Sequence, residues 1–92
     1  MLYLIHCLDK AGAGSIRTDE RPAHVEYLKS KPIDIVMAGP TVADDGETVT
    51  GSFLVVEADN RSQAETFSSN DPYAKAGLFD SVMISAWKKT VG

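Results

Sequence analysis

Leu2-Tyr3-Leu4-Ile5-His6-Cys7-Leu8 is a short apolar run closed by Asp9, and the rest of the chain organises around it. The run is too short for a core helix and rich in β-formers, so it is expected to be a strand. No basic residue precedes it, so it is expected to be a strand of the domain and not a secretory leader. Its two alternating sets, Leu2, Leu4 and Leu8 against Tyr3, Ile5 and Cys7, are both apolar. A strand of that kind needs cover on both faces and is expected to be buried.

Downstream, Asp9 to Ser15 is rich in small residues and is expected to be a loop carrying Gly12 and Gly14. A helix is predicted from Thr18 or Asp19 to Ser30, with Pro22 in its first turn, where its missing N–H costs nothing. Val25 and Leu28 form its apolar stripe, and His24 shares the side of Tyr27 and Leu28. Pro32 ends this helix. A second strand follows over Ile33 to Ala38, with Gly39-Pro40 as its terminator. Asp44-Asp45-Gly46 reads as a turn into a third strand, Ser52 to Ala58. Asn60 and Gln63 have capping-box spacing ahead of a helix over Arg61 to Ser68, with Ala64 and Phe67 inward. Phe79 to Lys88 supplies the last strand.

The order is β-α-β-β-α-β, which short right-handed connections turn into an α+β, ferredoxin-like domain over residues 1–92. Both helices then lie on one face of a four-stranded antiparallel sheet. The other face would carry Phe53 and Val55 or Leu54 and Val56, together with Met83 and Trp87 or Val82, Ile84 and Ala86. An open apolar sheet is rare on a soluble monomer, so a homodimer packed sheet on sheet through this face is expected.

Composition narrows the partners. The chain has 92 residues, 43% of them hydrophobic and 24% charged, and carries a net charge of −4. That balance fits one small folded domain and argues against nucleic acid as a partner, since phosphate contacts need clustered cations. No apolar run is long enough to span a membrane. The lone Cys7 can form no internal disulfide, no Cys/His cluster has zinc spacing, and the expected setting is the cytoplasm.

Two segments hold residues with chemistry. Arg17 and Arg21 stand two turns and one turn ahead of His24, pairing a group that exchanges protons near neutrality with guanidiniums suited to an oxyanion. Spacing alone favours a half-buried helix histidine beside a solvated arginine face. Asn70-Asp71-Pro72-Tyr73 with Ala76-Gly77 is explained by a short capped turn, Asp71 at the N-cap and Gly77 after the end. A capping carboxylate retains an oxygen that can also orient a histidine. His6 is expected in the core or at the dimer face, Cys7 as a buried small hydrophobe, and Trp87 in packing. Ser52 either donates a hydrogen bond or simply begins its strand, and Gly39 lets a ligand approach the backbone. No P-loop, dinucleotide or nucleophile-elbow motif is present.

Taken in order, Arg21-Pro22-Ala23-His24 with Leu28, Ala38-Gly39-Pro40, Gly51-Ser52, and Asp71-Pro72-Tyr73 with Ala76-Gly77 resemble the YciI-like family from Tyr3 to Lys88-Lys89. The turn at Asp44 to Glu47 is shorter than in some members, and Phe53 stands where a second small residue is found. The resemblance implies a dimeric α+β barrel, like the muconolactone isomerases and small monooxygenases. It also implies an enzyme with a His-Asp pair in a pocket by the sheet, matched here by His24 and Asp71. One branch of the family removes chloride from a chlorinated hydroxyhydroquinone. The expected function is acid–base chemistry by His24 and Asp71 on a small polar, phenolic or enolic compound. Arg17, Arg21, Gly39, Pro40, Ser52 and Tyr73 are expected to bind it, with no metal or organic cofactor required. The alternative is a non-catalytic ligand-binding or regulatory dimer that uses the same pocket.

Overall fold

In the computed structural model, which describes residues 1–92, β1 (Leu2–Asp9) is an inner strand of a four-stranded antiparallel sheet. Its neighbours are β3 (Val49–Glu57) and β4 (Phe79–Trp87), while β2 (Asp34–Val42) forms the edge beyond β3. Helices α1 (Gly14–Lys29) and α2 (Arg61–Ser69) occupy the two crossovers, and a single-turn helix α3 (Pro72–Lys75) precedes β4. This is the ferredoxin-like α+β arrangement.

The alternation along β1 sorts its side chains between two environments. Ile5 sits opposite Leu54 on β3 and Ile84 on β4. Tyr3, Ile5 and Cys7 pack with Leu54, Val56, Ile33, Ala58, Ala64 and Phe67 into the main core beneath the helices. Each large aliphatic side chain buried there contributes about 1.5–3 kcal/mol. The intervening residues face the uncovered side, where Leu8 is 44%, Met37 57% and Met83 66% exposed. His6 lies on that side too, edge-on to Phe53.

α2 follows its sequence signals closely. Asn60 Oδ1 accepts from Gln63 N at 2.9 Å, Gln63 Oε1 accepts from Asp59 N at 2.7 Å, and Ala64 and Phe67 are buried. The β2–β3 turn is held by Asp45, whose carboxylate accepts from the Glu47 and Thr48 amides and the Thr48 hydroxyl. Those three bonds, the Thr48 hydroxyl first, pull the Asp45 carboxyl down to about 2.

Three expectations are corrected. α1 begins at Gly14, so Asp9 to Ser15 is not one loop and Pro22 lies inside the helix. Pro22 and Thr18, whose carbonyl it leaves without a donor four residues on, are both exposed, so that carbonyl is open to solvent. Gly39-Pro40 does not end β2, which runs on to Val42 with Pro40 opposite Ser52. An edge strand tolerates a proline because one side of it needs no ladder donor. Ser52 stands within β3 rather than at its start, next to Gly51, where an added Cβ would overlap the Cys7 carbonyl oxygen.

Candidate active site

α1 stands away from the sheet along β2 and has no fully buried residue. The gap is a cleft of about 820 Å³ between one face of α1, the exposed edge of the sheet, and Tyr73 of α3. That is within the range of roughly 300–1,000 Å³ typical of small-molecule sites. All eight residues expected to form the site are close to it. Arg17, Arg21, His24, Gly39, Pro40, Ser52 and Tyr73 line the cleft, and Asp71 lies directly behind His24.

Asp71 is fixed by the turn that surrounds it. As N-cap of α3 its Oδ1 accepts from Tyr73 N at 2.9 Å, with Pro72 at the first helical position. The far end closes with Gly77 at φ 77°, Gly77 N bonded to Ala74 O and Leu78 N bonded to Tyr73 O, the paired bonds of a Schellman motif. Asp71 is only 5% exposed, so its carboxylate needs partners. It has one in His24, whose Nδ1 lies 2.9 Å from both carboxylate oxygens across forty-seven positions of sequence. With Nδ1–H donating to Asp71, the neutral imidazole leaves Nε2 as an acceptor for a cleft ligand. The imidazole also stacks on the Tyr73 ring, centroids 4.0 Å apart and planes within 15°. The buried Tyr73 hydroxyl has no hydrogen-bond partner within the chain.

Arg17 is held as firmly. Its Nε and Nη2 donate to the two oxygens of Asp9 at 2.7 and 2.8 Å, Nη2 also donates to Ser52 Oγ at 2.9 Å, and the guanidinium lies 4.7 Å from the Tyr73 ring centre. The Asp9 hydrogen bond raises the Arg17 pKa further above its ordinary value, against the opposing effect of burial. Nη1 makes none of these bonds, and its two hydrogens are the ones available to a ligand oxygen. Arg21 is exposed, one turn along the same face.

Cys7 plays no part in this chemistry. It is 2% exposed, and burial, followed by the charges of Asp71 and Asp9, pushes its thiol up to about 12. It is a protonated, inert side chain at neutral pH. Sequence reasoning missed Asp9, which orients Arg17, and Lys29, Lys31 and Asp34 at the far end of the cleft. Lys29 carried a signal, standing one turn of α1 after Val25, which also lines the cleft. Asp9 carried none, since its pairing depends on the strand reaching it.

A ferredoxin-like domain with a cleft of mixed polar and apolar lining beneath its first helix is the class this geometry defines. Within that class, residues 1–88 match the model of the YCII-related domain, and the chain belongs to that family. Protein YciI of Escherichia coli O6:H1 is 32% identical over 97% of this chain and 98% of its own length. An uncharacterized protein of Haemophilus influenzae is 29% identical over the same shares. Among solved structures, the 5-chloro-2-hydroxyhydroquinone dehydrochlorinase of Burkholderia phenoliruptrix, in complex with 2,5-dihydroxybenzoquinone, superposes with a TM-score of 0.88. It is 37% identical, with 98% of this chain and 96% of that one covered. Proteins of Arabidopsis thaliana and Deinococcus radiodurans, at 12% and 11% identity and TM-scores of 0.54, share the fold alone.

Proposed function

We propose that the cleft is an active site for general acid–base chemistry on a small compound with phenolic or enolic oxygens. The observation that carries this reading is the His24 Nδ1 contact with both oxygens of buried Asp71, inside a cleft. Asp71 keeps the imidazole in one tautomer and stabilises its charged form, while Nε2 takes a proton from the substrate. The negative charge left on the substrate oxygen meets Arg17 Nη1 or Arg21, and the proton returns from Nε2 at a ring carbon, which completes a tautomerisation and restores the imidazole. Gly39, Pro40 and Ser52 form the sheet-side wall, and Tyr73 is the floor beneath His24. The similar dehydrochlorinase, whose structure holds a dihydroxybenzoquinone, supports this substrate class.

A second copy covers the open sheet face in the same proposal. Leu8, Met37, Met83 and Trp87 there are each 38% or more exposed, an apolar patch that favours sheet-on-sheet pairing. Sedimentation equilibrium tests it: Met83→Lys shifts a dimer toward monomer, and a monomeric wild type at micromolar concentration removes this part of the reading.

The enzyme reading is tested with hydroxyhydroquinones as substrates and ¹⁵N NMR of the imidazole. His24→Ala is expected to lower kcat/KM by about 10²–10⁴ while circular dichroism stays unchanged. Asp71→Asn, which can still cap α3, is expected to lower kcat and disturb the His24 tautomer. A folded His24→Ala variant that turns over substrate at the wild-type rate overturns the proposal. Saturable shifts of His24 with no turnover of any such compound identify a binding module instead.

A further inference from the structure

The cleft continues beyond His24 along α1, and its far end has a distinct charge. Lys29, Lys31 and Asp34 line it there, past the apolar stretch of Val25, Leu28, Ile33 and Ile35. Neither lysine takes part in an ion pair. Two lysines against one aspartate leave a single net positive charge, at the mouth of a cleft in a chain whose net charge is −4. Lys29 is in the last turn of α1, where the helix dipole favours a cation and accounts for it.

Lys31 has no such account. It follows the C-cap Ser30 with φ 52°, the only non-glycine residue of the chain with a positive φ. That position after a helix end is most often glycine, because a Cβ is strained in the left-handed region. The chain keeps a long cation where its backbone favours glycine, and an outlier of that kind points toward a use.

We propose that the substrate is elongated and bears a carboxylate, held by Lys29 and Lys31, at the opposite end from the atom His24 acts on. The proposal rests on the acid–base reading of the cleft and deepens it. Five residues of helical rise place Lys29 about 7.5 Å along α1 from His24, and Lys31 lies beyond the helix end. The apolar stretch between them suits an alkyl or aryl spacer rather than a polar one. One net charge matches a carboxylate better than a doubly charged phosphate ester.

Two probes test this: 2,5-dihydroxybenzoquinone carrying a five-carbon arm that ends in a carboxylate, and the same molecule ending in a carboxamide. The wild type is expected to bind the carboxylate about fivefold more tightly, as two partly exposed cation contacts allow, and less selectively at high salt. Lys31→Gly is expected to lose most of that preference while melting no lower than wild type, because the strained backbone relaxes. Lys29→Gln with Lys31→Gln is expected to abolish it. Equal affinities for the two probes in the wild type, with His24 resonances shifting for both, overturn the proposal and leave the acid–base site standing. A preference that survives the double variant also overturns it. If neither probe shifts His24, the active-site reading falls and the proposal falls with it.

Discussion

α1 and α2 lie on the same face of the same sheet and are held there by different forces. α2 has nine residues and buries three of them, Ala64, Phe67 and Ser68. α1 has sixteen residues and buries none. Its ties are the half-buried Ile16, Tyr27 and Leu28, the Arg17–Asp9 and His24–Asp71 contacts, and the Tyr27 hydroxyl donating to Phe67 O at 2.8 Å. A helix packed flush on β2 would bury more apolar surface and leave no cleft. The helix that carries the candidate chemistry therefore stands off the sheet, and polar contacts replace part of the apolar packing.

The largest effect expected from this contrast is on stability. Phe67→Ala in α2 removes a side chain that is 5% exposed, and it should cost about 3–5 kcal/mol in urea denaturation. Leu28→Ala in α1 should cost less, roughly 1–2 kcal/mol, because Leu28 is only half-buried against the core and borders the cleft. Equal losses would mean that α1 is held by packing after all.

A smaller effect separates polar tying from packing. Arg17→Met leaves the Asp9 carboxylate, 13% exposed, without its bidentate partner and should cost about 1.5–3 kcal/mol. Adding Asp9→Asn should recover part of that loss, so the double variant is less destabilised than the sum of the two single ones. Cys7 provides the local readout, because a buried thiol held at about 12 reacts with a disulfide reagent only when the structure opens. Labelling accelerated beyond the loss of global stability would show α1 lifting by itself. Labelling that tracks global stability would show that it does not.

The same contrast governs what could be read from the sequence. α2 was legible because its start is written in local chemistry, Asn60 and Gln63, and its inward face in Ala64 and Phe67. The Asp71-Pro72 start and Gly77 end of α3 were legible for the same reason. The start of α1 was hidden, because its N-cap is Ala13, which offers no side-chain bond, and Pro22 imitates a first turn. β2 was cut short at Gly39-Pro40 because edge position, which makes that proline tolerable, is a property of the sheet. The stretch from Arg17 to His24 shows as a helical face, but the contacts that fix it, with Asp9, Asp71 and Tyr73, come from elsewhere in the chain. Tertiary contacts of that kind leave no periodic trace.

The smallest expected effect lies far from both helices, at the turn that joins the edge strand β2 to β3 and so supports the cleft's sheet-side wall. The Asp45 carboxyl is lowered from its ordinary value of 3.8 to about 2 by the Thr48 hydroxyl first and then by the Glu47 and Thr48 amides. A carboxyl depressed on folding contributes stability above its unfolded value and loses it as the pH falls through the folded one. That contribution is therefore complete above pH 3.8 and disappears as the pH falls through about 2. Asp45→Asn removes the titrating group, so its stability difference from wild type should be constant above pH 4 and shrink below it. Full solvent exposure of the turn keeps the effect small, and high salt should reduce it further. Denaturation curves of the two proteins between pH 2 and 6 measure that difference directly. A gap that stays constant down to pH 2 would mean that Asp45 holds the turn by shape rather than by charge, as α2 is held, and not by an ionic tie of the kind that holds α1.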